Sequence, residues 1–95
     1  INMNTEKLIG TGDLVSIGHQ PRLYVVYNVD ESGKCSLIGI EMNDTGDHER
    51  MLKYEEEIKY LVLHNPNEIL DCSCLAAIQE NVLGGVDMTS CLENV

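Results

Sequence analysis

The residue types in this chain that can bind or react are cysteine, histidine, carboxylate and tyrosine, and their spacing sorts them. Cys35, Cys72, Cys74 and Cys91 are enough in number for a tetrahedral zinc site. Cys72 and Cys74, however, form a C-x-C pair in a stretch with helical periodicity, where the two thiols diverge by about 200° and cannot share an ion. The spacing therefore predicts no metal: Cys72 packs in the core, Cys35 lies on a strand, and Cys74 and Cys91 are reduced thiols. Disulfides among the four are the alternative in an exported protein. His19 sits in a turn, His48 at the start of a strand and His64 just before a helix. A Cys35–His64 pair is compatible with the sequence order, but no Gly-flanked nucleophile or oxyanion loop accompanies it. No catalytic residue and no cofactor is assigned, and the expected protein is not an enzyme.

Carboxylates and tyrosines give the stronger signal. Glu41, Asp44, Asp47, Glu49, Glu55, Glu56 and Glu57 lie between positions 41 and 57 with only Arg50 and Lys53 against them. They lack the alternating D-x-D-x-D-G order of a calcium loop, so a solvated acidic rim is expected. An acidic rim attracts a basic partner and makes association salt-dependent. Tyr54 and Tyr60 flank the Glu55–Glu57 run, while Tyr24 and Tyr27 point to opposite faces of one strand. Tyrosine at a sheet surface buries area and keeps a polar tip, which suits peptide binding. The candidate binding set is thus Tyr24, Tyr54 and Tyr60 with those seven acids.

The whole chain has 95 residues and a formal net charge of −10, with six basic residues that are scattered. Half of the excess charge falls within positions 41–57. Direct contact with nucleic acid or an anionic membrane needs clustered Lys and Arg, so both are excluded as expectations. No apolar run reaches the ~20 residues of a membrane span. The first residues show no basic stretch leading into an apolar one, which points to a cytoplasmic location. With no Trp and no Phe, burial must rest on Leu, Ile, Val, Met and Cys. A core this small predicts marginal stability or a supporting partner.

The elements that position these residues follow from periodicity. Gly10-Thr11-Gly12-Asp13 is a turn leading into Leu14–Ile17, and Pro21 delays the next strand. Leu23–Val29 is apolar at both parities and should be covered on both faces. Asp30-Glu31-Ser32-Gly33 is a hairpin turn, and the return strand 34–42 carries Gly39, read as a bulge or bend. Positions 48–54 read as a shorter, exposed strand, 55–57 as a solvated like-charge run, and 58–63 as the closing strand. Asn65-Pro66-Asn67-Glu68 is an N-terminal capping box. The helix after it presents Ile69, Cys72, Leu75, Ala76, Ile78, Val82 and Leu83 on one face and stops at Gly84-Gly85. Positions 86–95, despite Ser90-x-x-Glu93, leave no room for a second helix and read as a short turn or frayed tail.

Five short strands and one helix make a single α+β domain, mainly β, over 1–95: a small five-stranded barrel over 12–63 and a C-terminal amphipathic helix over 65–84. Gly12-Asp13-Leu14-Val15, Pro21–Val26 and Cys35–Ile38 resemble the small SH3-like barrels of bacteria and their phages, which open on a GDxV strand and pass through a Pro-containing turn. The chain departs from them in having neither Trp nor Phe, and the helix is additional. Two functions follow as expectations. The first is a protein-interaction module that binds a partner, with a basic surface, through the tyrosine and acidic residues. The second is an acidic inhibitor that imitates nucleic acid and occupies a DNA- or RNA-handling protein. A small thiol- or metal-dependent enzyme ranks below both. A spare edge strand or the helix's extra apolar width would also allow a homodimer.

Overall fold

Turn chemistry and alternation build the first half of the sheet as the sequence predicts. The computed structural model describes residues 9–42, 49–64 and 73–94. Its strands are β1 (Leu14–Ile17), β2 (Leu23–Val29), β3 (Lys34–Met42), β4 (Glu49–Glu57), β5 (Leu61–Leu63) and β6 (Glu93–Asn94), with one helix, α1 (Ser73–Leu83). The sheet order is β5-β1-β2-β3-β4-β6, antiparallel throughout except for the short parallel pairing of β6 on β4. The capping box at 65–68, Ile69, Cys72, His48, Asp44 and Asp47 lie outside the described residues.

The expected hairpin turn is present and tightly held. Asp30 Oδ1 accepts hydrogen bonds from the Ser32 and Lys34 backbone N–H groups (both 2.9 Å) and from the Ser32 hydroxyl (2.7 Å). Gly33 supplies the positive φ of 88° that the turn requires. The β-bulge, however, falls in β2 and not at Gly39: the β2–β3 register shifts between Val26 and Asn28, while β3–β4 runs unbroken through Gly39↔Leu52. Gly39 has a different purpose. A Cβ there would lie 2.9 Å from Tyr54 and 3.0 Å from Tyr24, so the missing side chain makes room for both rings.

β2 is covered on both sides, as its double apolar parity requires. Val15, Tyr24, Val26, Cys35, Leu37 and Leu61 form one buried cluster. Leu14, Val25 and Ile38, from the opposite face, pack with Leu75, Ile78 and Val82 of α1. Each of those helix side chains contributes about 1.5–3 kcal/mol of burial. Leu83, expected on the apolar face, is instead 65 % exposed, lying against the backbone of Gly12. The helix ends as Gly84-Gly85 foretells. Gly85 N–H donates to Val82 O and Val86 N–H to Asn81 O, with Gly85 at φ 83°, a Schellman termination.

The structure revises the reading of residues 55–63 and of the tail. Glu55, Glu56 and Glu57, read as a solvated like-charge run beyond a shorter strand, do keep Glu55 and Glu57 exposed, but they belong to the strand. They are the last third of a nine-residue β4, opposite Ser36, Cys35 and Lys34. The closing segment is a 3₁₀ turn, Ile58–Tyr60, followed by only three strand residues. Of the two forms expected for the tail, it takes the short turn, at Thr89–Cys91, and is not frayed: Asp87 Oδ1 accepts from the Thr89 N–H and hydroxyl, Met88 is buried, and β6 pairs with Leu52 and Lys53. Asp87 rather than Ser90 fixes this turn, which is why the Ser90-x-x-Glu93 pattern carries no cap.

The sheet is open, not a closed barrel: among the described residues β5 has no strand neighbour besides β1. It is nevertheless strongly curled. A flat sheet would separate β4 from β5 by about 19 Å, four inter-strand spacings. The four Cα steps from Glu57 to Leu61 reach at most about 15 Å. The 3₁₀ turn that makes this crossing bonds at both ends, Ile58 N–H to Gly33 O and Gly18 N–H to Tyr60 O (2.8 Å each).

Candidate functional site

Cross-strand pairing decides where each candidate residue goes. Tyr54 stands opposite Leu37 and so points to the inner face, where its ring meets that of Tyr24 edge to face, centroids 5.0 Å apart. Tyr24 is only 4 % exposed and belongs to the core, so it presents no binding surface. Tyr54 is half-buried, and its hydroxyl accepts a hydrogen bond from Arg22 Nη1 (2.9 Å). Tyr60, at the end of the 3₁₀ turn, is 52 % exposed with the Lys59 ammonium 5.3 Å from its ring centre.

The acids do not form one rim. Glu41 and Arg50 pair near the β3–β4 hairpin, whereas Glu55, Glu56 and Glu57 end β4. Six residues of strand separate Arg50 from Glu56, about 20 Å. Near the hairpin, Arg50 is shared between Glu41 (3.4 Å) and Glu93 (3.2 Å), and the hydrogen bonds to Glu93 hold its guanidinium more firmly protonated than usual. At the other end Glu57 pairs with Lys59 (3.3 Å). Glu49 belongs to β4 by its backbone.

One open groove of about 820 Å³ brings part of the set together. One wall is the turn after β1, Gly18–Gln20. The other is Lys59–Val62, and Glu56 projects between them from the same side of the sheet as Cys35. Of the sequence-predicted residues that are described, Tyr60 and Glu56 share this groove. His19, noted in the sequence only as a turn histidine, lines it too, and so do Gly18, Gln20 and Val62, which were not singled out. Their types alone do not reveal this, because what places them there is the chain's crossing from β4 to β5 across the sheet.

Cys35 and His64, the pair the sequence order allows, are engaged separately. Cys35 is fully buried, and burial, with the nearby Asp30 charge, pushes its thiol pKa up, so it stays protonated. His64 does not meet it. His64 Nε2 lies 2.8 Å from the Oγ of Ser16, a 4 % exposed residue whose hydroxyl also reaches Gly18 O (3.3 Å). This Ser–His contact ties β5 to β1 from inside and offers no exposed nucleophile. Cys91 is exposed, and Cys74 is placed only by its backbone in α1. Among the described residues no three His, Cys, Asp or Glu side chains gather as a metal site, and no helix is long and apolar enough to cross a membrane. Comparison of the chain with protein-family models, with curated proteins and with solved structures gave no match.

Proposed function

We propose that this chain is a non-enzymatic interaction module, an open relative of the SH3-like barrels, that binds a segment of a protein partner in the groove beside Tyr60. The carrying observation is Tyr60 itself. It is a half-exposed aromatic on the wall of an open groove, in a chain whose Tyr24 is spent on the core and whose Tyr54 is half-buried. Exposed Val62 adds apolar area next to it, and Glu56 adds charge. A large amphipathic side chain flanked by apolar and charged neighbours is the composition of a binding anchor. The curl that lets a three-residue turn join β4 to β5, four positions apart in the sheet, supports the barrel-type reading. The charge, −10 overall with three glutamates at the end of β4, selects a partner with a basic surface over nucleic acid or an anionic membrane.

The nucleic-acid-imitating inhibitor is the second reading, and the geometry supports it less. An imitation of a phosphate backbone needs a continuous run of free charge. Here Glu41 and Glu93 are held by Arg50, Glu57 by Lys59, and the two acidic groups stand about 20 Å apart.

Selection of random displayed peptides on the full chain tests the module. Basic peptides with an apolar or aromatic residue are expected. Tyr60→Ala should weaken the best of them at least about tenfold, the mark of an anchor worth 1.4 kcal/mol or more. Glu56→Lys should weaken it further at low salt. A peptide whose affinity ignores both changes would remove the groove as the binding site. Loss of binding with Glu55, Glu56 and Glu57 all changed to Lys, but not with Tyr60→Ala, would favour the inhibitor.

A further inference from the structure

Alternate residues of β5 bond to β1, and the pattern identifies which backbone groups are left over. Gly18 N–H donates to Tyr60 O (2.8 Å), His64 N–H donates to Leu14 O (2.9 Å), and Ser16↔Val62 lies between them in register. Val62 therefore turns its N–H and C=O toward β1, while Leu61 and Leu63 turn theirs away. Leu61 N–H is used to close the 3₁₀ turn on Ile58 O. The Leu61 carbonyl and both backbone groups of Leu63 point out of the sheet, and no strand among the described residues pairs with them.

Edges of this kind are usually blunted by Lys, Pro or a bulge. β5 is short, which itself limits the edge, but Leu61-Val62-Leu63 has no Lys, Pro or bulge, and Val62 and Leu63 are 47 % and 46 % exposed, on opposite faces. We infer that the outer edge of β5 receives an extended segment of the partner as an added strand, its backbone on Leu61 and Leu63, with basic side chains reaching Glu56 in the adjoining groove. This rests on the groove reading above and specifies how the partner binds. Charge decides the occupant. A second copy would bring another −10 and another Glu55–Glu57 to the same place. A segment that alternates Lys or Arg with apolar residues instead covers Val62 or Leu63 with one face and meets the glutamates with the other.

The probe is the best basic peptide from the displayed library, titrated against the full chain. N-methylation of the peptide backbone, one residue at a time, should weaken binding about tenfold or more at every second position only, since strand addition uses alternate N–H groups. Leu63→Pro removes an outward N–H that the β1 ladder does not use, so the fold should persist and affinity should fall by a similar factor. If Tyr60→Ala abolishes binding while N-methylation shows no alternation and Leu63→Pro is neutral, the groove reading survives and strand addition is overturned. If no peptide is selected, both fail. Concentration-dependent dimerisation abolished by Leu63→Pro would make a second copy the occupant and overturn the proposal. The N-methyl series uses the unaltered protein, so the test stands even if Leu63→Pro does not fold.

Discussion

The rings of Tyr24 and Tyr54 meet edge to face at 5.0 Å, with 71° between their planes, over the bare Cα of Gly39. β2 and β4, the two neighbours of β3, contribute one ring each, and the rings meet over β3. The pair thereby supplies the aromatic content of one core cluster in a chain that has no Phe or Trp, while Tyr27 packs on the other. Gly39→Ala places a methyl group at 2.9–3.0 Å from both rings. Chemical denaturation should show a loss of about 1–3 kcal/mol, the usual cost of overpacking. Unchanged stability would mean that the rings can retreat without loss.

Gly12 combines two constraints that a double-mutant cycle separates. Its φ is 93°, and a Cβ would collide with the Leu83 side chain. Gly12→Ala is expected to cost about 1 kcal/mol for backbone strain and more for the collision. In the Leu83→Ala background the steric part should vanish and the backbone part remain. Full additivity of the two changes would show that Leu83 does not rest on Gly12 in solution.

Acid stability should depend on two exposed turn carboxylates. The Ser32 hydroxyl and the Lys34 N–H hold Asp30 below the ordinary carboxylate range, and the Thr89 hydroxyl and N–H do the same for Asp87. A depressed folded-state pKa gives stability that is complete above the unfolded value, about 3.9, and is lost as pH falls through the lower folded value. Asp30→Asn and Asp87→Asn should therefore lower stability at pH near 7 and flatten its decline below about pH 4. Urea midpoints measured across that range check the sign.

Thiol labelling should discriminate by burial. Cys35 is fully buried with its pKa raised, and Cys91 is exposed. Under native conditions at neutral pH, maleimide should modify Cys91 and leave Cys35 untouched until denaturant is added. Peptide mass mapping assigns each site. Rapid native labelling of Cys35 would contradict its place in the core.

The C-terminal segment should be held by burial more than by its ion pair. Met88 is buried and Leu92 packs beside it, whereas Arg50 and Glu93 are about half exposed. Met88→Ala is expected to cost about 2 kcal/mol or more. Arg50→Ala should change the denaturation midpoint little, because solvent screens an exposed pair. The opposite ranking would make the salt bridge the anchor.

The first hairpin was legible because local chemistry dictates it: Asp30, Gly33 and the double parity of Leu23–Val29 act over a few residues. So was the helix end at Gly84-Gly85. The groove was not, because it forms where His19 and Tyr60, far apart in sequence, are brought together by the curl of the sheet. Glu55–Glu57 misled for a related reason. A solvated like-charge run gives no strand signal, yet on a strand such charges alternate between faces and tolerate pairing opposite Lys34, Cys35 and Ser36. Tyr24 was assigned to a surface because nothing local announces that Gly39 clears a pocket for it.

The placement of β1 between β2 and β5 also has a consequence during synthesis. Residues 14–42 can form their hairpins as soon as they leave the ribosome. One side of β1, however, must wait for residues 61–63, which arrive more than forty positions later. At roughly 5–20 residues per second, that interval lasts seconds, and a bare apolar strand is open to wrong pairing throughout it. The brevity of β5 limits how long the finished edge is, but it makes completion of the sheet depend on the last strand to be made before the helix.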